Sequence, residues 1–188
     1  MRTKVLLFLL LFLGCTLAAQ TPGGTGIVYG EHHAFSITAP EGWVLDNTSG
    51  REQDLHAVFY EEGSSWAKAE TVMYANTAVK VPGARTLDEL LAYDEAQFRK
   101  RSAKLRVTVA KDIRTKSGTS TVRRFEGDVY GNYEAVAYID EKKTVVMLVL
   151  SARTEAGFLA AYPDFEKLVA GYEFLTDQVE PSRGKMAD

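Results

Sequence analysis

The run Val145-Val146-Met147-Leu148-Val149-Leu150 is apolar at every position. Successive side chains of a strand point to opposite faces, so a strand that is apolar throughout is buried on both. The chain must therefore build a sheet whose centre is covered on two sides, and the cover has to come from elsewhere in the sequence. Two segments have the helical period to supply it. The first opens at Thr86-Leu87-Asp88-Glu89, a capping box in which the Thr86 hydroxyl and the Glu89 carboxylate satisfy each other's free backbone N–H groups. Leu87, Leu90, Leu91 and Phe98 then recur at helical spacing to about Ser102. The second runs from Glu155 to Gly171 and offers Phe158, Leu159, Phe165, Leu168 and Val169 as cover, with an interruption expected at Pro163.

The remaining chain reads as strands. Before the first helix these are Ile27-Val28-Tyr29, Ala34 to Thr38, Trp43-Val44-Leu45, Leu55 to Tyr60 and Ala69 to Val79. Pro40-Glu41-Gly42-Trp43 is a turn that returns a large apolar side chain to the core, so Trp43 is expected to be buried with Phe35, Ile37 and the last helix. Val81-Pro82-Gly83-Ala84 closes this section. After the first helix come Leu105 to Ile113, Thr121 to Phe125, Tyr133 to Ile139 and Val145 to Leu150. Lys116-Ser117-Gly118 and Glu141-Lys142-Lys143 fall where hairpin turns are needed, which predicts a four-strand meander. The fold class is α+β, with helices packed against an antiparallel sheet.

The strand Phe35-Ser36-Ile37, the turn Pro40-Glu41-Gly42-Trp43, a middle helix, a meander and a closing helix before Tyr172-Glu173-Phe174-Leu175 resemble the PsbP-like family. The resemblance covers about Gly26 to Leu175. It implies an αβα sandwich around an antiparallel sheet, the fold of extrinsic photosystem subunits and of DcrB-type bacterial envelope lipoproteins. It further implies a non-catalytic accessory or assembly protein, and it carries over no functional residues.

Met1 to Lys4 holds two positive charges, Val5 to Leu13 is an unbroken apolar run of nine, and small residues follow to Ala19. That order is a secretory signal. At ~1.5 Å of rise per residue the run falls short of a ~30 Å hydrocarbon core. The expected organisation is a signal peptide over 1–19, a spacer over 20–26, one domain over 27–175 and a disordered tail over 176–188. This chain is nearer the envelope branch than the chloroplast one, because the leader is not an Arg- and Ser-rich transit peptide. Phe12-Leu13-Gly14-Cys15 also resembles a lipobox, which makes lipidation of Cys15 the alternative to its removal. Cys15 is the single cysteine, so the mature domain can form neither a disulfide nor a thiolate site. The net charge of −3 argues for solubility and against a nucleic-acid partner.

No residue constellation specifies a chemistry. The three histidines are His32, His33 and His56, and neighbours on a strand cannot share a metal ion unless the backbone turns between them, so no metal is expected. Asp54, His56, Ser64 and Ser65 can be assembled on paper into a hydrolase set, but no Gly-x-Ser-x-Gly elbow supports it. No nucleotide or phosphate loop occurs, and no cofactor is expected. The acid pairs Glu61-Glu62, Asp88-Glu89 and Asp94-Glu95 read as solvated faces. Asn47-Thr48-Ser49 is a glycosylation sequon, which matters only in a eukaryotic secretory pathway.

Charge is the one uneven feature: Arg99 to Arg124 carries ten bases against Asp112, whereas Glu41 to Glu62 carries six acids against Arg51. Arg99, Lys100, Arg101, Lys104, Arg106, Arg123 and Arg124 are thus the candidate patch for an anionic partner, an envelope protein or an anionic membrane surface. Trp66, Tyr130 and Tyr133 are loop aromatics able to anchor a partner. The expectation is an exported, non-enzymatic accessory or binding protein, with a small extracytoplasmic hydrolase as the alternative.

Overall fold

A computed structural model describes residues 21–80, 86–102 and 104–179. Before the first helix lie β1 (Thr21–Pro22), β2 (Thr25–Gly30), β3 (His33–Thr38), β4 (Trp43–Asp46), β5 (Ala57–Glu61) and β6 (Thr71–Val79). Then follow α1 (Leu87–Arg101), β7 (Arg106–Val109), β8 (Ile113–Arg114), β9 (Thr119–Glu126), β10 (Tyr133–Asp140), β11 (Thr144–Ala152), α2 (Glu155–Ala170) and β12 (Glu173–Thr176). The large antiparallel sheet has the order β1-β4-β5-β6-β11-β10-β9-β7, with β8 also on β9, and a small sheet has the order β12-β3-β2.

The doubly apolar run is β11, and it lies between β6 and β10. Val146, Leu148 and Leu150 join Phe158, Phe165 and Leu168 of α2, together with Phe35 and Ile37 of the small sheet. Val145 and Val149 point the other way, into a cluster with Leu90 and Leu91 of α1. One face is thus covered by α2 and the small sheet, the other by α1, as burial on both faces demands. The meander is realised as β7-β9-β10-β11. Trp43 is 2% exposed and packs in the cluster with Phe35 and Ile37, its Nε1 donating to Asp164 Oδ2 on α2 at 3.2 Å.

Four boundaries differ from expectation. Pro163 does not interrupt α2, which runs unbroken from Glu155 to Ala170. Proline removes one N–H, but apolar anchors flank it (Phe158 and Ala161 before, Phe165 and Leu168 after), and burial holds both halves to the sheet. The expected strand Leu105 to Ile113 is two strands, because the register on β9 shifts by one residue between Val109↔Arg123 and Ile113↔Ser120, a bulge. The expected spacer contains β1 and the start of β2. At the other end β12 reaches Thr176, Lys143 Nζ donates to the Asp177 carbonyl at 3.1 Å, and His32 N donates to the Val179 carbonyl at 3.1 Å. The signal segment with Cys15, and the tail beyond residue 179, lie outside the described residues. Among those described, no helix is long and apolar enough to cross a membrane.

Candidate functional site

The capping box of α1 forms as read: Thr86 Oγ1 accepts from Glu89 N at 3.3 Å and the Glu89 carboxylate accepts from Thr86 N at 2.8 Å. Yet only Leu90 and Leu91 of this helix are buried, because α1 covers only part of its face of the large sheet. Phe98, stacked on Phe125 at 4.4 Å, ties its last turn to β9. Over β4 to β6 the same face is covered by the loop holding Trp66, whose ring meets Tyr74 edge-on at 6.3 Å and whose Nε1 donates to Gln53 at 2.8 Å.

Between these covers a trough of about 420 Å³ remains. Its floor follows from register. Tyr74, Val149 and Val136 form one lateral row across β6, β11 and β10, and Asn76, Met147 and Tyr138 form the next. Glu134 lies two residues along β10 and shares the face. Leu90, Asp94, Gln97 and Arg101, three and four residues apart on α1, form the wall.

The trough holds buried polar chemistry. Tyr138 donates its hydroxyl proton to Asp94 Oδ2 at 3.1 Å, and Ser151 Oγ donates to Glu134 Oε1 at 2.8 Å. Burial pushes the Tyr138 phenol well up, and the Asp94 carboxylate adds to it. Burial does the same to Tyr74, reinforced by Glu134 and then Asp94. The Glu134 carboxyl is raised above the ordinary value, first by burial, with the Ser151 bond opposing. None of these residues except Asp94 was singled out in the sequence, and Asp94 only as half of a solvated pair. No local signal marks them: along that face of β10 run Glu134, Val136, Tyr138 and Asp140, the mixture of an ordinary half-wet strand.

The strand topology and the two helices match a fold already solved in another protein. The chain is similar to the solution structure of cyanobacterial PsbP (CyanoP) from Synechocystis sp. PCC 6803, with a TM-score of 0.52 at 10% identity, over 87% of this chain and 99% of that one. This is a PsbP-like fold. No family model matches the sequence, and neither does any curated protein.

Within this PsbP-like fold the seven candidate bases divide. Arg123 and Arg124 are adjacent on β9 and so point to opposite faces. Arg123 lies on the α1 side and pairs with Glu95 at 3.7 Å. Arg124 lies on the α2 side, its guanidinium 4.8 Å from the centre of Phe158 and 4.5 Å from that of Tyr162. Arg106 shares that side and is paired with Glu126. The other four, Arg99, Lys100, Arg101 and Lys104, are exposed, and no acidic partner among the described residues takes them up.

The loop joining β9 to β10 meets the last of these, Lys104, at its backbone. Gly127 has φ of 78°, and a Cβ there would stand 3.2 Å from the Lys104 carbonyl oxygen, so glycine lets the loop approach. The Asp128 carboxylate accepts from Tyr130 N at 3.0 Å and Asn132 N at 2.7 Å, shaping the tip. Val129 and Tyr130 project from it, 60% and 78% exposed. Tyr133 instead is half-buried near Phe158.

The hydrolase set does not assemble. Asp54 and His56 border one cavity and Ser64 another. They sit at opposite ends of β5, whose five residues span about 16 Å. Of the histidines, His56 is exposed and His32 occupies the β2–β3 turn with φ of 62°. His33 is buried with Nδ1 on the Glu31 carbonyl at 3.0 Å, and burial lowers its pKa. Among the described residues no three His, Cys, Asp or Glu side chains converge to hold a metal ion.

Proposed function

We propose that this chain is an exported, non-enzymatic accessory protein of the cell envelope, on the DcrB-type side of the PsbP-like fold, that docks on an anionic membrane surface. The observation that carries the reading is one end of the domain, where α1 closes on the exposed bases Arg99, Lys100, Arg101 and Lys104, and the loop carrying the projecting Val129 and Tyr130 meets the Lys104 backbone through Gly127. A base near an anionic leaflet contributes roughly 1 kcal/mol. Tyrosine suits the headgroup level, where one end of the ring is wet and the other apolar. The basic, apolar and small-residue order of residues 1–19 supports export.

Two measurements test it. Intact mass of the exported protein is expected to show a chain beginning at Ala19 or Gln20, or a diacylated Cys15 on the lipoprotein branch; retention of Met1 refutes cleavage. Co-sedimentation of the mature protein is expected with anionic but not neutral vesicles, and it should fade as the Debye length falls from ~10 Å at 0.1 M salt to ~3 Å at 1 M. Changing Arg99, Arg101 and Lys104 together to Glu should abolish it, and Tyr130→Ala should weaken it. Equal binding to both vesicle types, or an undiminished signal from the triple variant, overturns the reading.

A further inference from the structure

We infer that β2 is a dimerisation strand: two copies of this chain pair their β2 strands antiparallel about a two-fold axis at Ile27, joining the two small sheets into one. β2 is an outer strand of the small sheet, and among the described residues β3 is its one strand neighbour. Its six residues, Thr25–Gly30, carry neither charge nor proline. An open edge is ordinarily blunted by one of these, by shortness, by a bulge or by a covering loop. The other edges follow that rule. β1 and β8 have two residues each, and β1 contains Pro22. β7 has four and begins with Arg106. β12 has four, is bulged against β3, and its Phe174 N donates to Ser117 Oγ at 2.7 Å. Among the described strands only β2 leaves a long, uncharged edge open.

The direction of its backbone groups follows from one bond. Ala39 N donates to the Gly24 carbonyl at 2.9 Å, and the same register sets Gly26 against Ile37 and Val28 against Phe35. Hydrogen-bonded pairs alternate along an antiparallel ladder, so Gly26, Val28 and Gly30 face β3, whereas Thr25, Ile27 and Tyr29 turn their N–H and C=O groups outward. No backbone bond among the described residues engages those outward groups. They are symmetric about Ile27. A second β2 laid antiparallel therefore sets Ile27 against Ile27 and Thr25 against Tyr29, with about six main-chain hydrogen bonds and no like charges brought together. The side chains of these residues share the outer face, where Ile27 is 58% and Tyr29 67% exposed, and cross-strand pairing covers both. The strand borders a cavity of about 460 Å³ whose other wall holds Asn47, Arg51, Asp54 and His56, so space is open beside it. Gly26, where a Cβ would meet the Leu45 side chain, sets β2 over β4. β9 lies five strand spacings from β4, about 24 Å, which keeps this edge apart from the basic end.

A strand pair buries less than the ~1,200 Å² of standard interfaces, so the dimer is weak. Sedimentation velocity on the mature protein is expected to show dimer at about 100 μM and monomer at about 1 μM. Ile27→Lys puts two charges together on the axis, and Ile27→Pro removes an outward N–H that β3 does not use; each should weaken association tenfold or more. The lysine variant decides the matter if the proline variant does not fold, since the Ile27 side chain is exposed. Register is read by cross-linking, because the domain has no cysteine of its own. Across the axis the two Ile27 Cα atoms stand ~5.5 Å apart, within disulfide reach. Ile27→Cys is therefore expected to form a covalent dimer under mild oxidation. Tyr29→Cys, offset from its symmetry mate by ~14 Å along the strands, should do so at least tenfold less. Anionic-vesicle binding by monomer should be untouched by Ile27→Lys or Ile27→Pro, so the two readings fail separately. A protein that stays monomeric at about 100 μM, its edge taken by another segment or left for a different protein, overturns the inference. So does a dimer that survives in the folded Ile27 variants, or equal cross-linking from the two cysteine variants.

Discussion

Trp43→Ala is expected to destabilise the domain by about 3 to 5 kcal/mol, the loss seen when a large aromatic is deleted from a core that cannot collapse around the void. The site is held from every side. Trp43 N donates to the Pro40 carbonyl at 3.1 Å, closing the turn. Gly42, with φ of 81°, supplies the left-handed residue the turn needs and accepts from Glu62 N at 2.9 Å through its carbonyl. The indole therefore cannot be replaced by a shift of β4, and α2 cannot sink, because Phe165 and Leu168 already pack on the sheet. Asp164 loses the indole donor but keeps Lys167 Nζ at 2.8 Å, so the cost is mostly the cavity. Trp43→Phe, which keeps most of the volume, should cost about 1 to 2 kcal/mol. Urea unfolding followed by circular dichroism measures both, and the slope should stay constant while the midpoint moves. A midpoint that hardly moves in the alanine variant would place the indole outside the core.

What was legible in the sequence was local. The double burial of β11, the Thr86–Glu89 capping box, the turn before Trp43 and the hairpins of the meander each depend on residues within one element or its flanks. Where tertiary packing outweighs local preference the sequence misleads, as at Pro163, an exposed position in a helix whose buried residues lie on both sides of it. The trough could not be read at all. Tyr74, Asp94, Glu134 and Tyr138 come from β6, α1 and β10, and only the register across β11 sets them on one face. The bases show both limits together. The period of two separates Arg123 from Arg124 without any structure. That Arg106 faces Glu126 while Glu95 reaches Arg123 depends on which strands and which helix are neighbours.

Asp46→Ala should cost about 3 kcal/mol, through a residue that composition and motif gave no reason to notice. Asp46 ends β4 and is buried. Its Oδ1 accepts from Thr48 N at 2.7 Å, Thr48 Oγ1 at 2.7 Å and Ser49 N at 3.0 Å, and its Oδ2 from Ser49 Oγ at 2.6 Å and the Tyr60 hydroxyl at 3.0 Å. Asn47-Thr48-Ser49 is thus a turn wound around one carboxylate. Hydrogen bonds to a charged group contribute about 1.5 to 3 kcal/mol, and the alanine variant also leaves the buried Tyr60 hydroxyl without an acceptor. Burial alone would raise the Asp46 pKa, but the bonds from Ser49 and Thr48 outweigh it and hold the group well below its ordinary 3.8. The sign follows from linkage. Between the depressed folded value and 3.8 the unfolded chain binds the proton more readily, so this stabilisation is complete above that range and is lost as pH falls through the folded pKa. Asp46→Asn keeps an acceptor but cannot titrate, so its stability should fall less steeply in acid than the parent's, by up to one proton's worth, about 1.4 kcal/mol per pH unit. Glu134 and Glu141, whose pKa values are raised mainly by burial, run the opposite way but are common to both proteins and cancel in the difference. Urea midpoints measured from neutral pH into acid for parent and variant decide it, and parallel acid limbs would show that Asp46 does not carry this pH dependence.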